Sequence, residues 1–285
     1  MAVALRFFMI VSRVVANLVK NTFDFNNKNL QVMRNYLLIT FLTLPFYLFS
    51  QSKFTIEVKE AGTLLSLLGN NTDKISTLIV TGKINKEDFL VMRRMINRGI
   101  LIDINLENTT IESGPLHEEN NIPRESFINC NQLESIILPK NTNVILFSAF
   151  EGCSNLKNIK IPATLSFIDS HSFRFCTSLT EFKFPDNHIL LNSGSFLGCT
   201  ALKELEFPDG VLIFRDAFSG CILDKVILPS NYDLGAKAFS QCYIKEIYCK
   251  GEPSNITEDT FEEGIKKNTV VYIPKGTLNK YTSWS

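Results

Sequence analysis

Over the C-terminal part of the chain the apolar positions recur with a long period. Phe127, Phe150, Phe173, Phe196, Phe218, Phe239 and Phe261 follow one another at 23, 23, 23, 22, 21 and 22 residues. Five places before each stands an apolar residue: Ile122, Ile145, Ile168, Leu191, Ile213, Leu234 and Ile256. Three places after stand Cys130, Cys153, Cys176, Cys199, Cys221 and Cys242, with Gly264 in the last unit. The unit is Ile-x4-Phe-x2-Cys-x2-Leu-x2-Ile-x-Ile-Pro, complete from Ile145 to Pro162. A unit this short cannot bury its own apolar face, so seven in tandem predict a stack in which each coil seals the next. Segments such as Leu156 to Ile161 and Leu202 to Phe207 have apolar residues two and three apart and run into Pro, which predicts one strand per coil. Pro139, Pro162, Pro185, Pro208, Pro229 and Pro274 close the coils, whereas the sixth has Lys250 after Cys249. The fifth and sixth units lose a residue after Cys, which predicts a slightly irregular stack near the C-terminal end. At about 4.8 Å per strand, seven coils make a parallel sheet roughly 30 Å long.

Upstream the period changes. FTIEV alternates, AGTLLSLLG has the spacing of a short amphipathic helix, and KISTLIVTG reads as a strand. Lys86 to Arg98 then places Phe89, Met92 and Ile96 at helical spacing, and LIDINL returns as a strand. Residues 52–111 are therefore expected to form an α/β cap over the apolar end of the stack, polar on its outer side. Glu112 to Glu125, with Gly114, Pro115 and Pro123, is a loop opening the repeat domain, residues 112–285. Residues 33–51 have Arg34, an apolar run from Tyr36 to Phe49 and then Ser50 and Gln51, the order of a secretory signal peptide. The run of about 14 residues is shorter than a span of about 20, although bulky Leu48 before the cut leaves an uncleaved anchor as the alternative. No Cys follows the run, so a bacterial lipoprotein signal is absent. Residues 1–32 are an upstream extension: either translation begins at Met33, or the segment is an organelle presequence or membrane helix.

The units IxxxxFxxCxxLxxIxIP resemble the leucine-rich repeats of BspA-like surface proteins. LIVTGKINKEDFLVMRRM followed by LIDINLENTTI is similar to the N-terminal cap of secreted members from Bacteroidetes. NNIPRESF is similar to the family's entry into its first repeat, and VVYIPKGTLNKYTSW to its closing unit. The resemblance spans roughly residues 53 to 284. It implies an α/β-type repeat solenoid, a leucine-rich-repeat stack of about seven coils of 21–23 residues with a parallel strand ladder and the N-terminal cap. It also implies export, a secreted or cell-surface location, and binding to host proteins or other cells. Members usually continue a little beyond the equivalent of Trp284, so the expectation is a poorly sealed last coil or a truncated chain.

Composition fits a binding scaffold. The 29 basic and 29 acidic residues cancel, which gives no electrostatic support for a nucleic-acid or anionic-membrane partner. Apolar residues at 45%, including 23 Phe, suffice for one continuous core. Six of the seven Cys share one repeat position, so the expectation is small buried free thiols bonded weakly to turn backbone, with oxidation of a pair such as Cys242 and Cys249 as the alternative. No CxxC or His-x3-5-His spacing suggests zinc, and no cofactor is expected.

The search for chemistry returns little. His117, His171 and His188 lie in unrelated loop positions, expected to be solvated, and nominate no triad. GTLLSLLGNN lacks the Gly-Lys-Ser/Thr ending of a phosphate loop. Glu118/Glu119 and Glu262/Glu263 fall in turns, and Asn70, Asn108 and Asn255 begin N-x-S/T triplets that matter only in a eukaryotic secretory pathway. The candidate functional surface is the outward face of the ladder: Ile137, Lys160, Lys183, Glu206, Ile227 and Tyr248, with Ser135, Asn158, Glu181, Glu204, Lys225 and Glu246 two places earlier. Lys160 and Lys183 are expected to balance Glu181 and Glu204, leaving Ile227 and Tyr248 as an apolar and aromatic pair suited to an interface. The expected function is non-catalytic, adhesion-like binding of a protein or cell-surface ligand such as host matrix, with no membrane insertion of the mature domain. The alternatives are an accessory for surface-glycan handling and a membrane-anchored structural protein.

Overall fold

The computed structural model describes residues 52–114, 118–252, 260–261 and 268–281. The upstream extension, the signal segment, His117, Asn255, Ile256, Glu262, Glu263, Gly264 and Trp284 lie outside the described residues. The chain divides after Ser50, and the unit from Gln51 to Ser285 is the one described here. Elements are numbered in chain order.

The cap is β1 (Lys53–Val58), α1 (Leu64–Leu68) running into a 3-10 turn (Gly69–Asn71), β2 (Thr77–Ile84), α2 (Lys86–Asn97) and β3 (Asp103–Ile111). The order strand, helix, strand, helix, strand is the one the periodicity predicts. β1, β2 and β3 pair in parallel, with Val58 opposite Gly82. Gly82 has φ +91°, and a Cβ there would sit 2.2 Å from the Val58 carbonyl oxygen, so only glycine lets the two strands close. α2 starts at Asn85, whose side chain accepts from the Glu87 amide at 3.0 Å, while the Asp88 carboxylate accepts from the Asn85 amide at 3.0 Å. Asp88 is fully buried and also accepts from the Gly62 and Leu64 amides at 2.6 and 2.9 Å, tying the start of α2 to the start of α1. The buried face of α2 carries Phe89, Met92, Met95 and Ile96. Phe89 meets Phe127 edge-on at 5.7 Å.

Behind the cap the coils stack through their phenylalanines. Successive rings from Phe127 to Phe261 lie 5.3, 5.2, 5.1, 5.1, 5.4 and 5.6 Å apart and nearly parallel. Their amides from Phe127 to Phe239 bond forward to the next coil, as from Phe150 to the Ser172 carbonyl at 2.8 Å. Each of the six coils from Phe127 to Phe239 bends at two left-handed residues, two before and two after its Phe, for example Ser148 and Gly152 around Phe150. At the later bend other coils carry Asn129, Gly152, Gly198, Gly220 or Gln241, whereas the third carries Phe175 at φ +60°.

Among the described residues most coils carry two strands rather than the one expected, and these form two parallel ladders. The first begins with the cap and runs β1-β2-β3-β5 (Ser135–Ile137)-β7 (Asn158–Lys160). It resumes as β10 (Glu204–Glu206)-β12 (Ile222–Leu228)-β14 (Tyr243–Cys249)-β15 (Val270–Tyr272). The second ladder comprises β4 (Asn121–Ile122), β6 (Val144–Ile145), β8 (Phe167–Ile168), β9 (Leu190–Leu191), β11 (Val211–Ile213) and β13 (Tyr232–Leu234). Its strands carry the apolar position five before each Phe from Phe127 to Phe239. Two to three residues are too few to announce a strand by alternation, and neighbouring coils supply the ladder bonds.

The first ladder is interrupted in the third coil, where Glu181–Phe184 forms no strand; among the described residues no backbone hydrogen bond reaches it. The strand expected there is absent because this coil carries phenylalanine at both inward positions. Where other coils place Ile136, Ile159, Leu205, Val226 or Ile247, Phe182 wedges between Phe173 and Phe196 at 5.2 and 4.8 Å. Phe184 packs on it at 4.8 Å. Two adjoining rings occupy more room than a strand spacing leaves and hold the backbone off the ladder. The fifth and sixth coils depart from the others, as the lost residue predicts: β12 and β14 are the longest strands of the repeats, seven residues each. Dropping one residue after Cys221 and Cys242 removes a turn, so the strand starts immediately.

The described cysteines are free thiols, all buried except the half-buried Cys242. Each Sγ from Cys153 to Cys242 donates to the carbonyl of the preceding coil's Phe, at 3.1, 3.2, 3.1, 3.3 and 2.9 Å. The repeated thiol is thus a small inter-coil tie.

Candidate interaction face

On the first ladder buried Leu205, Val226 and Ile247 alternate with outward residues in two rows. Register places Glu204, Lys225, Glu246 and Val270 in one row, and Glu206, Ile227, Tyr248 and Tyr272 in the other. The six residues expected to form one face therefore divide. Ile137 and Lys160 are in register on β5 and β7, on the cap side of the interruption. Glu206, Ile227 and Tyr248 are in register beyond it, and Lys183 lies in the unpaired segment between. The continuous six-residue row is corrected to two shorter ones, for the packing reason given above.

The charges also pair differently from expectation. Lys160 bonds Glu107 of the cap at 2.8 Å, not Glu181 or Glu204, and holds its carboxyl below the usual range. Lys183 pairs with Glu181 at 2.9 Å, as expected. Lys250, standing where other coils have Pro, reaches back two coils to Glu206 at 2.8 Å and lowers its carboxyl likewise. These solvent-facing pairs contribute little to stability.

Ile227 and Tyr248 stand side by side, both half-buried, and the row continues into Tyr272, which is 45% exposed. The Tyr248 and Tyr272 rings stack at 4.3 Å and 10°. The Lys225 ammonium lies 5.0 Å from the Tyr248 centroid, a cation–π contact. The Tyr248 hydroxyl donates to Glu246 at 3.1 Å, and this bond, with loss of water and the neighbouring Tyr272, pushes the phenol up to about 12. Sequence reasoning missed Tyr272, although Val271-Tyr272-Ile273-Pro274 puts it in the slot of Tyr248.

A second missed feature lies on the other ladder, whose outward register runs Val144, Phe167, Leu190 and Leu212, the last 41% exposed. The inter-coil register alone reveals it. Exposed Phe175 is covered on one side by the Arg174 guanidinium at 4.6 Å.

Groups with catalytic potential are dispersed. His188 is exposed as expected, but His171 is half-buried, its ring tilted against Phe147 at 5.6 Å. Burial pushes the Cys130 and Cys199 thiols up to about 12 and those of Cys153, Cys176 and Cys221 well above the usual range, so none is a thiolate at neutral pH. Among the described residues no three metal-ligating side chains converge. The arrangement offers a stacked, charge-edged surface.

Six copies of the family described as BspA type leucine rich repeat region match this sequence, over residues 120–245 and 212–284. Among solved structures it is similar to a leucine-rich repeat protein from Bacteroides ovatus, at 19% identity, 78% of this chain, 61% of that chain and a TM-score of 0.47. It is also similar to the leucine rich repeat protein TpLRR from T. pallidum, at 21% identity, 57% of this chain, 79% of that one and a TM-score of 0.40. The chain thus spans about three-fifths of the length of the Bacteroides protein. No curated protein matches the sequence.

Proposed function

Because the chain belongs to the BspA-type leucine-rich-repeat family, we propose that it is an exported, non-catalytic binding protein. Its ladder face toward the C-terminal coils captures a protein partner on another cell or in host matrix. The register of Ile227, Tyr248 and Tyr272 carries this reading, since it gathers apolar and aromatic surface from three coils with Lys225 and Glu246 along its side. Buried aromatic anchors beside polar groups are what interface centres use. The stacking favours a protein over a glycan: Lys225 lies over the Tyr248 ring and Tyr272 stacks on it, so that ring presents its edge rather than a flat platform.

Capture from extracellular matrix or from neighbouring bacterial cells tests the reading. Tyr248→Ala is expected to weaken capture by about 2 kcal/mol, roughly thirtyfold, whereas Lys160→Ala changes it little. Equal capture by the two variants at matched thermal midpoints would refute the placement. Export predicts a mature N-terminus near Gln51, which N-terminal sequencing of the secreted protein reads directly. Recovery of residues before Met33 would count against it. Among the described residues no helix is long and apolar enough to cross a membrane. Release of the full chain from cells only by detergent would favour the anchored alternative.

A further inference from the structure

Beside the tyrosine row, where the first ladder breaks, a groove of about 560 Å³ opens between the third and fifth coils. Its apolar lining includes Phe184 and Ile227, and Ile227 is shared with the row described above. Its charge is unbalanced. Five carboxylates line it, Glu181, Asp186, Glu204, Glu206 and Asp209, against the two ammonium groups of Lys183 and Lys250. Both lysines are already engaged, with Glu181 at 2.9 Å and Glu206 at 2.8 Å. Asp209 accepts from the Ser230 and Asn231 amides at 2.8 and 3.3 Å, which holds its carboxylate in place on the groove lining. Asp186 and Glu204 are exposed and are in neither of these ion pairs.

A separate observation concerns the backbone. Glu181–Phe184 is part of the groove lining, and its N–H and C=O groups carry no ladder bond. A stretch of main chain free of internal pairing beside an apolar floor suits an extended polypeptide, which supplies complementary main-chain groups and alternating side chains. A compact or uncharged ligand would leave the surplus carboxylates unmatched.

We propose that this groove binds an extended segment of the partner bearing lysine or arginine, its cations meeting Asp186, Glu204 and Asp209 and its apolar side chains meeting Phe184 and Ile227. The inference rests on the reading that the ladder face is the interaction surface, and adds the chemistry of what it recognises. Opposite charge steers such a segment in and fixes its register, with affinity falling as salt rises.

The test is fluorescence anisotropy on the full chain with two labelled octapeptides, one alternating lysine and valine, the other glutamate and valine. The lysine peptide is expected to bind at least about tenfold tighter than the glutamate peptide. The double variant Asp186→Asn with Glu204→Gln, both changes at exposed positions, should remove most of that difference while keeping the thermal midpoint. Equal binding of the two peptides, binding of neither, or a preference unaffected by the double variant would overturn the proposal. Failure here with Tyr248-dependent capture intact defeats only the groove. A lysine preference that survives while capture ignores Tyr248→Ala defeats only the tyrosine row.

Discussion

Phe173 touches the rings of both neighbouring coils and Phe182, and is fully buried. Truncating it removes a whole ring from between two stacked neighbours. Phe173→Ala should therefore cost about 3–5 kcal/mol, seen as a lower thermal midpoint, and Cys176→Ser less. An unchanged midpoint for Phe173→Ala would mean that the coils are held by something else. That each such Phe is internal follows from its spacing alone, and so does the burial of the thiols. Their hydrogen-bond partner does not: the Cys176 thiol reaches the Phe150 carbonyl, 26 residues back, and only stacking brings that oxygen within 3.2 Å.

In the cap, one side chain joins two elements. The buried Asp88 carboxylate holds the amides of Gly62, Leu64 and Asn85. Asp88→Ala would leave three donors without it, and a buried unpaired donor costs about 1–3 kcal/mol. The expected loss is about 3 kcal/mol or more in chemical denaturation, with Asp88→Asn milder because its amide oxygen still accepts. Asn85 and Asp88 three residues apart are a legible helix start, and α2 is where the periodicity places it. The bonds to Gly62 and Leu64 were not legible, since no local signal links residues more than 20 apart. The same limit hid the second ladder, and the break at Glu181–Phe184 depends on whether two rings fit one coil spacing.

For the whole molecule, burial of the thiols predicts how stability changes in alkali. In the folded chain burial pushes Cys130 and Cys199 up to about 12, whereas exposed thiols in the unfolded chain keep the ordinary 9.0. The folded-state pKa is raised, so the contribution is fully present below pH 9 and is lost as the pH rises through about 12. The urea midpoint should fall progressively over that window, and at about pH 8 the six buried thiols of the folded chain should react with a thiol reagent only as fast as it unfolds, half-buried Cys242 reacting sooner. Immediate reaction of all seven thiols would contradict the stacked interior. Removing residues 53–111 should expose the β5 edge and the Phe127 ring together. The shortened chain is expected to self-associate in light scattering and to lose its sharp unfolding transition.

The repeat length, the inward Phe, Leu and Cys positions, the cap's element order and the identity of the family are all written in the sequence, because each depends on residue type at a fixed spacing along one chain. Which residues meet across coils is a property of stacking. Tertiary structure alone decided that two aromatic rings in one coil break the ladder, that Lys160 turns to Glu107 and Lys250 to Glu206, and that Tyr272 completes the row of Ile227 and Tyr248. The ion pairs and the row join residues 21 to 53 apart in sequence, whose approach is set by the parallel register of neighbouring coils, and the break is set by the volume of the side chains packed between them.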